Sequence, residues 1–231
     1  MSAPPLRDLL LEPGTFLARA VERRRFWPPL VFGTLAALLF TALAVPRVDF
    51  EKAAADALDR KTEQVTPHDR EEALATAHRL GVLGSYAGAV AGTGLAAVLS
   101  AFALWLAFKV VGGAPGLPGS LTVVAWGLVP GALQLLLSIP ALLTRPRVLP
   151  EDLARLLPAS LGALAPGAKG PLAALLWSVD LFSLWSVALV AVGMAAVAGV
   201  STRRAGATVA ALWIAYVAVF RMALPALGGP S

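Results

Sequence analysis

Five long stretches without a charged side chain constrain this 231-residue sequence more than anything else in it. No Lys, Arg, Asp or Glu occurs in Phe26 to Pro46, Leu80 to Phe108, Val110 to Thr144, Leu181 to Thr202 or Ala205 to Phe220. About 20 apolar residues in helical form cross the hydrocarbon layer of a bilayer. A core helix of a water-soluble protein keeps a polar side, whereas these stretches are apolar all round. Only 14% of the chain is charged, well under the roughly 25% of an ordinary soluble domain. The sequence therefore reads as an all-α, polytopic integral membrane protein: a bundle of five transmembrane helices preceded by a short amphipathic helix. The expected spans are 28–46, 82–110, 121–144, 173–201 and 205–226, forming one domain over 28–226. Residues 1–27 precede it, polar loops fall at 47–81 and 145–172, and 227–231 form a short tail.

Charge placement sets the expected orientation. Arg7, Arg19, Arg23, Arg24 and Arg25 precede span one, Lys109 closes span two, and Arg203 and Arg204 occupy the turn between spans four and five. With five spans these groups share one side, so the N-terminus is expected in the cytoplasm of a cell (inner) membrane, with the longer loops outside. The net charge of +5 is thereby assigned to orientation and lipid head groups, and no nucleic-acid partner is expected. Arg23 to Arg25 before an apolar run ending "ALA" has something of a signal peptide, but the bases begin late and more spans follow, so an uncleaved first helix is expected. In "PGTFLARAVERRRFWPP", Phe16, Leu17, Ala20 and Val21 share one helical side, which suits a helix lying in the membrane interface. Thr66-Pro67-His68-Asp69 is a helix start, with a hydroxyl at the N-cap, proline at N1 and an acid in the first turn. That helix can run straight into span two. Leu153, Leu156 and Leu157 suit the membrane surface.

Few residues suggest chemistry. Asp180 sits in "LLWSVDLFSLWSVAL", where a carboxylate at the centre of a spanning helix costs about 2.5–3.5 kcal/mol. Arg221 is the other charge within a span, and counting from the turn at 203–204 puts the two within about 9 Å in depth. An ion pair fixing spans four and five is the expectation, with Trp177 and Ser183 on the same side of the helix. Gly84, Gly88 and Gly92 form a small-xxx-small stripe that admits a second helix closely, within the chain before another protomer. Trp126, Pro130, Gln134 and Ser138 mark a kinked span with a polar side, and Pro130 frees a backbone carbonyl that Gln134 can satisfy. His68 and His78 do not have metal-ligand spacing. The chain has no cysteine, so thiol chemistry and Cys-bound metals are excluded. It shows no metalloprotease, P-loop or nucleophile-elbow motif. No enzyme, cofactor or metal is expected. The alternative function is a small transporter or channel, with Asp180, Arg221 and Gln134 lining a polar route.

Three stretches together carry a family likeness. "LEPGTFLARAVERRRFWPPL" (11–30), "GGAPGLPGSLTVVAWGLVP" (112–130) and "VDLFSLWSVALVAVGMAAVAGVSTRRA" (179–205) resemble, in order and spacing, the Yip family of Ypt/Rab-interacting membrane proteins in its bacterial branch. The positions that carry the likeness are Pro13, Phe16, Gly112, Gly113, Pro130, Asp180, Phe182 and Trp185, as structural signatures. The resemblance implies five spanning helices with a cytoplasmic N-terminus. It implies a non-enzymatic protein that organises membrane or binds a partner, either another membrane protein or a second copy of the chain. Eukaryotic members are linked to small-GTPase binding and vesicle traffic; this sequence does not show their long cytoplasmic N-terminal region, so GTPase binding is not expected to carry over.

Overall fold

The computed structural model describes residues 7–59, 66–165 and 167–223. The expected tail at 227–231 and the last residues of span five lie outside them. Every regular element among the described residues is a helix, and extended pairing there is confined to two isolated bridges. Helices α1 (Arg7–Leu11) and α2 (Pro13–Glu22) lead into α3 (Trp27–Ala44). Helix α4 (Phe50–Asp59) and the outer part of α5 (Pro67–Val110) form a polar hairpin. Helices α6 (Leu117–Gly127) and α7 (Val129–Leu143) make one broken span, and α8 (Gly170–Ser178), α9 (Leu181–Ala198) and α10 (Thr202–Tyr216) complete the bundle. A π-helical stretch, Val217–Ala223, extends α10. Five helical segments are long and apolar enough to cross a membrane: Trp27–Arg47, Pro67–Val110, Leu117–Leu143, Leu181–Ala198 and Thr202–Met222.

Local sequence sets the boundaries. Thr66 Oγ1 accepts from the Asp69 N–H at 3.2 Å and Pro67 opens the helix, so the start read at 66–69 is built as expected. The helix then continues without interruption for 44 residues into span two. Pro130 has no N–H to donate, and the helix steps at Leu128 before resuming with Pro130 in its first turn. Gly199, at φ +67°, ends α9, a conformation that favours glycine. Ser201 then caps α10 by accepting from the Arg204 N–H.

The central core joins α5, α6, α9 and α10 through Ala97, Ala101, Leu104, Phe108, Val123, Val124, Ala191, Met194, Ala198, Ala205 and Val209. Small side chains dominate, as expected where lipid removes the hydrophobic drive and close packing must supply the attraction. Glycines bring backbones together at three crossings: Gly33 abuts Thr93, Gly127 abuts Val190 and Gly193 abuts Val123. Large apolar residues such as Leu35, Leu83, Leu99, Phe102 and Val110 remain exposed on the outside of the bundle, where they suit lipid.

The loops gather at two opposite ends. At one, the Ala114 N–H donates to the Ala198 carbonyl at 3.1 Å and Val21 lies beside Gly119. At the other, Val48 and Val148 form a parallel bridge, and Arg147 pairs with Asp49 at 2.9 Å. Phe40, Ala44, Val48, Leu142, Val148 and Leu156 close that end. Leu156 is buried there and Leu153 packs alongside, so these two leucines meet protein instead of the membrane surface. The polar hairpin is tied by Asp59–Arg70 at 2.7 Å and Glu51–His78 at 3.7 Å, with the Phe50 ring over Gly81. Asp49 is held below the usual carboxylate range by the Lys52 backbone N–H and then by the Arg147 guanidinium. Asp59 is held below it by Arg70.

The fourth span differs from expectation. Instead of one helix over 173–201, α8 stops at Ser178, Val179 and Asp180 are extended, and α9 starts afresh. The amphipathic N-terminal helix differs too. Phe16, Leu17 and Ala20 of α2, all at most 2% exposed, face Trp126 and Leu189, and Gly193 leaves room for Leu17. The apolar side read as lipid-facing is spent on α6 and α9, because glycines at 119 and 193 open a groove that fits it.

Candidate functional site

The break at 179–180 explains the lone carboxylate of span four. Asp180 is the N-cap of α9: one oxygen accepts from the Phe182 N–H at 2.8 Å and the Ser183 N–H at 2.9 Å. The other accepts from the Ser183 hydroxyl. The first N–H groups of a helix lack intrahelical partners, and an acid there also meets the positive end of the helix dipole. The 18 residues of α9 extend about 27 Å, close to the roughly 30 Å hydrocarbon thickness. A carboxylate at the start of a helix of this length suits a boundary of the layer, where a charge costs less than at its centre.

The loop before α8 closes over this break. The Leu161 N–H donates to the Val179 carbonyl at 3.0 Å, and the Leu181 N–H donates to the Ala159 carbonyl at 3.2 Å. Ser160 thus faces Asp180 across an antiparallel bridge. Its hydroxyl is buried without a hydrogen bond. Trp177 lies on Gly162, with the Arg155 guanidinium 5.3 Å from the Trp177 ring centre.

Asp180 and Arg221 do not form the expected pair. Arg221 is exposed on the π-helical stretch, which packs against α8, and among the described residues it makes no ion pair. The physical reason is the break itself: an interrupted helix offers bare N–H groups next to Asp180, and they satisfy it locally. The signal was present in the sequence as Asp180 followed three residues later by Ser183, a capping pattern hidden inside a continuous apolar run.

The expected polar side of span three is also redistributed. The Trp126 indole N–H donates to the Arg25 carbonyl at 2.9 Å, and its ring meets Phe16 edge-on at 4.7 Å. Ser138 donates back to the Gln134 carbonyl at 2.7 Å. The Gln134 side chain is half-buried and makes no hydrogen bond among the described residues, so it does not repair the Pro130 kink. His68 is exposed, and His78 stands beside Glu51. A hollow of about 220 Å³ lies at the polar end between Arg47, Asp49, Glu51, His78 and Arg147. Asp180, Gln134 and Arg221 are not among its lining residues.

Gly84, Gly88 and Gly92 are where the sequence reading of α5 departs most from the structure. A Cβ built on any of the three meets nothing within 4 Å. The stripe is therefore not an internal packing surface. Inside the bundle α5 uses the neighbouring row, Gly81 against Phe50, then Ala89, Thr93 against Gly33, Ala97 and Ala101.

The signature positions map onto boundaries and close approaches. Pro13 opens α2, Phe16 is buried on Trp126, and Gly112 takes φ +81° in the turn after α5. Gly113 abuts Ala198. Asp180 and the Phe182 N–H form the cap, and Trp185 packs beside Leu189. The Yip1 domain family model matches residues 7–223. The chain belongs to the Yip1 domain family. The match takes in every described helix from α1 to α10. No curated protein and no solved structure matches the chain. Membership in this family, with five apolar helices, makes the chain a multi-pass membrane protein of Yip1 type.

Proposed function

We propose that this Yip1-family chain is a non-enzymatic membrane protein that binds a partner through the stripe Gly84, Gly88 and Gly92, with its N-terminus and the arginine-bearing turns on the cytoplasmic side. The observation that carries the reading is the empty space over three successive glycines on the outside of a well-packed helix. Glycine in a helix interior is unfavourable by up to about 1 kcal/mol relative to alanine, and here that cost supports no contact among the described residues. Small-residue stripes let a second spanning helix approach closely enough for backbone-to-backbone packing. The fold supplies the rigid base, with α5 locked on its other side into the central core. The capped carboxylate at Asp180 is committed to α9, which favours a packing role for it over a place on a polar route.

The test is co-purification from native membrane with Gly88→Leu beside the wild type. The reading expects a complex, either a dimer or a defined hetero-complex, that the leucine abolishes while the monomer keeps its fold. An equally abundant complex in the variant would remove the stripe from the account.

A further inference from the structure

The hollow at the polar end lies where the end of α3, the start of α4, the outer part of α5 and the loop after α7 meet. It measures about 220 Å³ and is bordered by Arg47, Asp49, Glu51, His78 and Arg147. That is smaller than the roughly 300–1,000 Å³ of sites for drug-sized ligands. Main-chain bonds fix its frame. The Val148 N–H donates to the Arg47 carbonyl at 2.9 Å, and the Asp49 N–H donates to the Val148 carbonyl at 3.0 Å. Val48, between them, is buried in the apolar cluster with Phe40, Leu142 and Leu156. Phe50 lies against Gly81 and meets the His78 ring edge-on at 6.2 Å, which seats α4 on α5.

Two of the charges around the hollow are matched. Arg147 donates to Asp49 at 2.9 Å, and the other Asp49 oxygen accepts from the Lys52 N–H at 2.9 Å. Two are not. The half-buried Arg47 donates to the Leu43 carbonyl at 2.7 Å, and among the described residues its guanidinium makes no ion pair. Most of its N–H groups are therefore open. The Glu51 carboxylate has the His78 Nδ1 beside it at 3.7 Å, beyond hydrogen-bond reach. Arg47 and Glu51 border the same hollow and do not pair with each other. The first is anchored at the end of α3 by the Leu43 carbonyl, and the second belongs to α4.

We propose that the hollow binds a small zwitterion, with its anionic oxygens on the Arg47 guanidinium and its primary ammonium on the Glu51 carboxylate. A guanidinium takes carboxylate or phosphate oxygens in a two-point fork. A simple anion would answer Arg47 and leave Glu51 unmatched, and a simple cation would do the reverse. A ligand carrying both charges complements both groups at once. A free α-amino acid and the head group of phosphatidylethanolamine share this chemistry.

The test is calorimetric titration of the full chain in phosphatidylcholine nanodiscs. The probes are L-alanine and glycerophosphoethanolamine, the water-soluble head group of that lipid. At least one is expected to bind saturably, and the better of the two names the source. Propionate and ethylamine, each carrying one of the two charges, should bind about tenfold more weakly or worse. Glu51→Gln and Arg47→Gln should each lower the affinity of the zwitterion about tenfold, and Arg47→Lys should restore it in part. Lys52→Gln, next in sequence to Glu51 but outside the lining of the hollow, should leave it unchanged. E51Q lies on an exposed position and decides independently of any change that R47Q makes at the end of α3. Failure of both zwitterions to bind would overturn the proposal, as would wild-type affinity in E51Q. Propionate binding as tightly as L-alanine would reduce the site to a simple anion site and overturn the zwitterion. An equal loss in K52Q would reduce the effect to overall charge and overturn the assigned contacts.

Discussion

Helix α5 carries two rows of small residues about 100° apart, and the fold treats them oppositely. Gly81, Ala89, Thr93, Ala97 and Ala101 are drawn into the bundle, whereas Gly84, Gly88 and Gly92 look out on empty space. Composition does not separate the rows, since both permit close approach. What separates them is the surface each neighbour offers: Phe50 and Gly33 complete the first row, and nothing in the described chain completes the second. Within a membrane, a small residue is therefore evidence of a close neighbour without saying whose. The same logic governs Asp180, whose hydrogen bonds are all made within its own helix.

The sharpest way to break the comparison is to enlarge one residue in each row. Ala97→Leu, at a position with no exposure, should destabilise the detergent-solubilised monomer by about 1–3 kcal/mol through overpacking, read by chemical unfolding. If Ala97→Leu proved neutral, the inward row would not be the packed one. Asp180→Ala comes next, with an expected loss of about 0.5–2 kcal/mol for a missing N-cap. Asp180→Asn should lose little, because asparagine caps as well as aspartate, and Arg221→Gln should change stability by nothing measurable. An ion pair would instead make the Asn and Gln variants equally damaging. Gly88→Ala on the open row should leave the monomer unharmed or up to about 1 kcal/mol more stable, while weakening association.

The smallest effect concerns the polar end. Asp49 titrates below its ordinary 3.8 in the folded chain, so the unfolded chain binds more protons as pH drops through that range. The contribution of the Asp49 contacts is then complete above about pH 3.8 and is lost as pH falls through the lowered value. Wild type and Asp49→Asn should differ slightly in protease resistance of the α4–α5 hairpin at neutral pH, and the difference should vanish in stronger acid. A gap that widened with acid would reverse the sign assigned here.

Much of the architecture was legible because uncharged length is a coarse and robust signal. Five apolar segments, the Thr66 start and the run of α5 from polar hairpin into membrane all follow from local residues. Three features were not legible. Hydropathy averages over a helix break, so Val179–Asp180 disappeared inside "LLWSVDLFSLWSVAL". Amphipathicity shows that α2 has an apolar side without showing that Gly119 and Gly193 would receive it in place of lipid. Helical phase alone left the Gly84 row and the Gly81 row equivalent, and only the tertiary partners divide them. The expected partner within the chain is therefore missing from the Gly84 row among the described residues.

The natural absence of cysteine permits the most direct test. Single cysteines introduced at 84, 88 and 92, and at 89 and 97 for comparison, can be labelled in native membrane with a short maleimide carrying a photoactivated diazirine, which captures a second copy or a different partner whether or not that partner has a thiol. The account predicts defined adducts from the first three positions and none from the other two. Adducts from 89 and 97, or none from 84, 88 and 92 at full reagent accessibility, would contradict it.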